Sequence, residues 1–364
     1  MLVGFILSVL VSFATTALYV GLLWWLDRHE KEPLGLAMAA FLWGAIPAIL
    51  ASAVAELLLD VPLASLSGGL AYEVVSNSLI APAVEEAVKA VALLGIFVFW
   101  WHEFDNVLDG IIYGALVGFG FAVTEDLFYS LGGLSGSGWR EWRVVLLMRT
   151  VLFGLNHSFF TALTGIGFGY ARLARERWKR WLAPLLGLGA AITFHAIHNL
   201  GTSLAEASCL PVLFSLAADW GGVFVVVTIA LVIARREKQC IAIELRDEVA
   251  SGLLSGQEYE LLKSYRRRLV TRWRALQAGN WRAWRRWGRL FHLGTELAFK
   301  RHQFRALGDE KGSPKAIANL RKEITALRRK MGLDVGSDFC ASCGTPLPAS
   351  NGACPRCGAA AETT

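Results

Sequence analysis

Up to about Ala234, apolar runs of roughly 20 residues alternate with short polar breaks, and each run is long enough to cross a hydrocarbon core. Seven runs stand out, at about 3–26, 35–59, 77–101, 107–131, 149–171, 182–204 and 211–234. The stretch 62–76 is apolar enough to dip into the membrane and would make an eighth segment. After Arg235 such runs stop. The pattern predicts an all-α polytopic membrane protein with about seven transmembrane helices. The first run has no basic residues ahead of it, so a membrane span is expected there and not a cleaved signal.

Charge sharpens this division. The chain has 364 residues, 54% of them hydrophobic and 18% charged, more apolar and less charged than a soluble protein of this size. The first 234 residues hold 11 Lys/Arg against 17 Asp/Glu, and the remainder holds 25 against 13. An acidic membrane part is thus followed by a basic tail, which fits a place near anionic lipid. No base-reading module is present to suggest nucleic acid. Lys and Arg gather in the breaks at 27–33 and 172–180 and after the last run, and they are absent from 60–76 and 205–210. Arg140 and Arg143 are a mild exception. The positive-inside rule then places the N-terminus outside and the tail in the cytoplasm. Trp24, Trp25, Trp100 and Trp101 fall at span ends, where such rings anchor.

Ionisable residues inside the runs are the next signal, because a charge at the bilayer centre costs at least about 2.5–3.5 kcal/mol. The third run carries Glu85, Glu86 and Lys89, and the fourth carries Glu125 and Asp126. Asn156 and His157 lie in the fifth; His195, His198 and Asn199 lie in the sixth. At 1.5 Å per residue, Glu85 and Glu86 come out about 12–14 Å below the outer edge, Glu125 about 9 Å, His157 about 12 Å and His195 about 14 Å. Four spans therefore place acids and imidazoles at one depth, as a shared buried site requires. Glu85 and Lys89 are one turn apart and can pair. Glu86 is rotated by about 100° from Glu85, so the two carboxylates have different tasks.

This set of groups suits water activation. A Glu and two neutral imidazoles can hold a divalent metal, with zinc the expected ion, and so acidify its water. A buried Glu can instead act as general base without metal, while His and Asn donate to an oxyanion. Both routes hydrolyse a peptide bond, and the residues alone leave both open. A proton-coupled transporter or membrane sensor is the rival class, since Glu/His clusters also relay protons. The blander expectations are an ion pair for Glu85 or Glu86 with Lys89, a snorkelling Arg149, and solvated or capping roles near span ends for Glu56, Asp60, Glu73 and Asp219. Asp105 and Asp109 are expected as helix caps. Gly133–Gly136 ("GLSG") looks like a serine-protease motif but is expected in an outer loop, without the context that chemistry needs. No His-Glu-x-x-His motif occurs.

Taken together, these residues resemble the PrsW-type intramembrane proteases, a branch of the group that includes CAAX-processing and Abi-type membrane proteases. "EEAVK" matches the family's double Glu and basic residue as Glu85, Glu86 and Lys89. "FAVTE" matches its Phe-x-x-x-Glu as Phe121 and Glu125. "NHSFF" supplies His157, and "HAIHN" supplies His195 and Asn199, with His198 outside the pattern. The family usually has Asn where this chain has Asp126. The likeness covers roughly residues 20–235. It implies a metal- or glutamate-dependent endopeptidase acting on membrane-associated protein substrates, some relatives cleaving anti-sigma factors. Glu125, His157 and His195 are then expected either to bind a catalytic metal or to orient water and oxyanion, and Glu85 or Glu86 to be the base, with Asn199 in support.

Three domains are expected: 1–234 for the protease, 235–334 for a basic helical cytoplasmic segment, and 335–364 for a zinc ribbon. In the second, Arg alternates with Trp273, Trp281, Trp284 and Trp287. Such a helix suits a membrane surface, and packing within a helical bundle accounts for it equally well. Ile317, Leu320, Ile324 and Leu327 form a stripe that could meet another helix. At the end, Cys340, Cys343, Cys354 and Cys357 form two C-x-x-C pairs ten residues apart, the spacing of a structural four-thiolate zinc site. A closed site of this kind fits structure or binding of a protein partner, not catalysis. Oligomeric state is not legible.

Overall fold

The computed structural model describes residues 1–29, 31–66, 70–104, 106–136, 138–205, 208–308 and 313–333. The four ribbon cysteines and Asp105 lie outside the described residues, as do the side chains of Asp60 and Glu73. Every regular element among the described residues is helical. The chain divides into two compact units. The first comprises residues 1–27 and 31–233; the second holds Arg28, His29 and the described residues from Ala234 onward.

In the first unit, α1 spans Leu2–Leu26, α2 Leu34–Trp43, α3 Ile49–Leu66, α4 Leu70–Val75 and α5 Ala81–Phe99. Then follow α6 Val107–Gly136, α7 Trp139–Leu147, α8 Asn156–Leu173, α9 Arg177–Ser203 and α10 Cys209–Glu244, whose residues from Ala234 belong to the second unit. Six helical stretches among the described residues are long and apolar enough to cross a membrane. The expected third span, 77–101, is also helical, as α5 and the turn before it. It stands apart from the six because Glu85, Glu86 and Lys89 fall inside it. Leucines and aromatics such as Leu57, Leu58, Leu185, Leu186, Phe214 and Phe224 are exposed. Apolar surface on this scale needs lipid around it, and the chain is an integral multi-pass membrane protein.

The helix α6 is the axis of this unit. It is buried over most of its length and apolar nearly all round, as a central helix must be. It packs against α1, α2 and above all α8, which in turn packs on α9. Small residues allow this closeness. Gly110, Gly114 and Gly118, one turn apart, face the backbone of Gly165, Thr161 and His157, and a Cβ at any of them would strike that backbone. Such glycine rows bring membrane helices together. Here the row delivers Glu125, two turns past Gly118, to the start of α8.

Three π-helical turns interrupt the helices, at Gly44–Ala48, Ser76–Ile80 and Met148–Leu152. Single π turns are frequent beside functional sites. The first contains Pro47, which lacks an N–H, and the carbonyl of Ala45 accepts from Thr124 Oγ1 at 2.7 Å. The "GLSG" residues form the last turn of α6 and not a loop, and Ser135 Oγ donates to Gly132 O at 3.0 Å.

The second unit is a small bundle of α11 Arg246–Ala250, α12 Gly256–Leu262, α13 Tyr265–Gln277, α14 Trp281–Leu307 and α15 Ser313–Met331. Its core includes Leu245, Leu262, Leu290, Leu297 and Ile324. The predicted stripe Ile317, Leu320, Ile324 and Leu327 is spent here, against α14. Ser255 and Glu258 cap α12 reciprocally. Buried Glu258 also takes a 2.9 Å bond from Arg328 Nε, and buried Glu248 is held by Arg301 and Arg321.

Candidate active site

Two turns of α5 carry Glu85, Glu86 and Lys89, all buried. Lys89 Nζ donates to Glu85 Oε2 at 3.1 Å and to Glu86 Oε1 at 2.8 Å. It also lies 3.0 Å from His157 Nδ1 and 3.7 Å from the centroid of the Phe121 ring. An ammonium can only donate, so Nδ1 of His157 is the acceptor and its proton resides on Nε2. That N–H donates to Glu125 Oε2 at 2.6 Å. His195 directs Nδ1 to Glu86 Oε1 at 3.1 Å, which leaves the lone pair on Nε2, 3.9 Å from Glu85 Oε2. Each imidazole is therefore oriented by a carboxylate through one nitrogen, as metal-ligating histidines are. Phe160 stacks on His195 with centroids 4.8 Å apart, and the two imidazoles are 5.0 Å apart.

The two glutamates differ as their rotation predicts. Glu86 is saturated: Oε1 serves Lys89 and His195, and Oε2 accepts from Thr161 Oγ1 at 3.0 Å. Among the described residues, Glu85 is held at hydrogen-bond distance by Lys89.

Glu85, Glu86, His157 and His195 form a group whose ligand atoms lie within 4.8 Å of one another. Glu125 is not in this group. Arg149 binds both Glu125 and Asp126, the latter through Nε at 2.7 Å. Arg149 thus does not snorkel outward; it is the counter-ion of an acidic pair, packed 4.0 Å from the Tyr129 ring centroid. Asn199 is also apart from the four and donates to the carbonyl of Asn77, in the π turn leading into α5, at 2.8 Å.

Glu85, Glu86, Glu125 and Asp126 face two cations, Lys89 and Arg149, so acids outnumber cations around the site. Two carboxylates and two imidazoles are also the donors that zinc takes. The residues fit such an ion, and Lys89 competes with it for the same oxygens.

Residues beyond the sequence reading complete the arrangement. Asp219 of α10 is fully buried, not solvated. Its Oδ2 accepts from Asn156 Nδ2 at 2.9 Å and from His198 Nδ1 at 2.8 Å. Asn156 precedes His157, and His198 is one turn after His195. Asp219 therefore ties together the two helices that carry the imidazoles. The signals for Arg149 and Asp219 were their charges at span depth, without anything local to name a partner.

Acids and imidazoles buried at the centre of a helical membrane bundle mark a functional site. Residues 32–235 match the model of the family described as PrsW family intramembrane metalloprotease; the chain belongs to that family. A protein named Protease PrsW from Geobacillus kaustophilus (strain HTA426) is 29% identical over 171 residues, 44% of this chain and 65% of the relative. Another of that name, from Bacillus subtilis (strain 168), is 26% identical over 161 residues, 43% of this chain and 65% of the relative. One from Clostridioides difficile (strain 630) is 30% identical over 122 residues, 33% of this chain and half of the relative. The chain thus spans 65% or less of the length of these relatives. No solved structure matches it.

Proposed function

We propose that the chain is an endopeptidase that hydrolyses peptide bonds of membrane-associated proteins within the bilayer. The supporting observation is the buried convergence of Glu85, Glu86, His157 and His195 around Lys89. Glu85, the less engaged carboxylate, is the general base that takes a proton from water. Glu86 stays ionised between Lys89 and His195 and fixes both. Glu125 holds the proton on His157 Nε2. Lys89, the buried cation, stabilises the oxyanion that develops on the scissile carbonyl, a role worth a few kcal/mol in other hydrolases. His195 through its open Nε2, with Glu86 and His157 once Lys89 gives up Glu86 Oε1 and His157 Nδ1, would hold a divalent ion, zinc by donor type. Such an ion, when bound, lowers the pKa of its water. Asn199 supports α5 through Asn77.

In this reading the N-terminus lies outside and the tail in the cytoplasm. Residues 1–234 form the catalytic domain, 235–334 a basic helical segment, and 335–364 a structural zinc ribbon that binds a protein partner. The family match speaks against a transporter built on the same residues.

The test compares membranes of cells expressing the native chain or Glu85→Gln by labelling newly formed protein N-termini. Cleavage products are expected only with the native chain. Identical sets of termini, with both proteins equally abundant, would remove the proposal.

A further inference from the structure

Between Leu261 and Thr295 the chain has ten Lys/Arg and no Asp/Glu. The structure sorts this segment into two faces. On α13, Arg268 turns inward and donates to Thr295 Oγ1 of α14 at 3.2 Å. The Arg272 guanidinium lies 4.3 Å from the Trp284 ring centroid. The neighbouring face is different. Leu269, Trp273 and Leu276 follow the spacing that stacks side chains on one side of a helix. All three are exposed, as is Val270 beside them, and Trp273 is 59% exposed. Gly279, at φ 66°, turns the chain into α14. There Trp281 is exposed too, stacked on Trp284 with centroids 4.3 Å apart. Arg266, Arg267 and Arg274 border the apolar face on α13, and Arg282, Arg285 and Arg286 continue the basic rim on α14, all exposed.

An apolar stripe with tryptophan, rimmed by arginine, is the composition of helices that lie in a membrane interface; Glu260 of α12 lies at its edge, 3.4 Å from Arg267. The long arginine stems cover apolar surface while their heads meet phosphate. The large excess of arginine over acid on this surface selects an anionic partner. The second unit is also covalently continuous with α10, which carries apolar residues of membrane-spanning length. The chain itself therefore tethers this unit to the membrane.

We propose that the exposed face of α13, with Leu269, Trp273 and Leu276 flanked by Arg266, Arg267 and Arg274, docks on an anionic lipid bilayer. The apolar side chains enter the acyl boundary, and the arginines bind headgroup phosphates. This surface is separate from the intramembrane site, so the docking does not depend on the catalytic reading.

The test uses the full chain in lipid nanodiscs, with p-benzoylphenylalanine at position 273. Irradiation is carried out in pure phosphatidylcholine and in phosphatidylcholine with about one-third phosphatidylglycerol, and adducts are read by mass spectrometry. Lipid adducts that rise strongly with phosphatidylglycerol are expected. In the triple variant Arg266→Gln, Arg267→Gln, Arg274→Gln, the docked-to-free ratio should fall about a hundredfold. These arginines are exposed, and an unchanged thermal unfolding curve would show that the fold persists. Adducts to a second copy of the chain or to another protein would overturn the proposal. So would equal lipid adducts in both bilayers, or no adduct in either.

Discussion

Glu85 and Glu86 are adjacent in sequence yet meet different neighbours, and their substitutions should separate accordingly. Glu85→Gln keeps the size of the side chain and the bonds around Glu86. It should lower turnover by about 10²–10⁴ while leaving metal content unchanged, as read by elemental analysis of purified protein. Glu86→Gln disturbs the bonds to Lys89 and His195 and should reduce metal content together with activity. Arg149 offers a stability test. Arg149→Gln leaves Glu125 and Asp126 side by side without their counter-ion, at a site where all three side chains are less than a quarter exposed. A loss of about 3 kcal/mol is expected, visible in thermal unfolding in detergent. Most of the cluster was legible in the sequence because ionisable groups at span depth are rare, and a common depth for Glu85, Glu86, Glu125, His157 and His195 points to one site. Their partners were not legible. Arg149 is 23 residues from Asp126, and only the packing of π turn against helix brings them together. The division of labour between Glu125 and Glu86 likewise depends on which way each imidazole is turned.

Among the elements, the seam between α6 and α8 governs the Glu125–His157 contact. Gly118→Ala places a methyl group against the His157 carbonyl and should cost about 1–3 kcal/mol with a large loss of activity. Gly95→Ala is the control: a Cβ there meets nothing within 4 Å, so stability should hold or rise by up to about 1 kcal/mol. Asp219 tests the other side. Asp219→Ala removes the acceptor shared by Asn156 and His198, which sit beside the two imidazoles, and should weaken metal binding about 10–100-fold, measured by competition with a chelator. Asp219→Asn keeps an acceptor oxygen and should restore much of the affinity. The spans themselves were legible, since long apolar runs leave few alternatives in lipid. The π turns and the glycine seam were not, because glycine at four-residue spacing acquires meaning only when the facing helix is known. Asp219 was misjudged for a related reason: nearness to a span end says little about what covers a side chain.

At the scale of the molecule, two folded units share one chain, and the metal question divides with them. On the proposed reading, removing residues 335–364 should eliminate a ribbon zinc and leave an intramembrane ion, so metal per chain should fall without vanishing. Complete loss would assign all bound metal to the ribbon. The basic tail was legible as helical and amphipathic, and the stripe from Ile317 to Leu327 indicated a partner helix. Which tryptophans face inward was decided by the bundle: Trp287 packs against its core, whereas Trp273 and Trp281 remain outside. One consequence follows from the bare contact between α6 and α8. Where backbone touches backbone, there are no rotamers to rearrange, and main-chain radii alone set the spacing. Adaptation to new substrates would have to proceed through α5 and α9, whose side chains can be exchanged, while the carboxylate–imidazole distance across the glycine row stays constant through every such change.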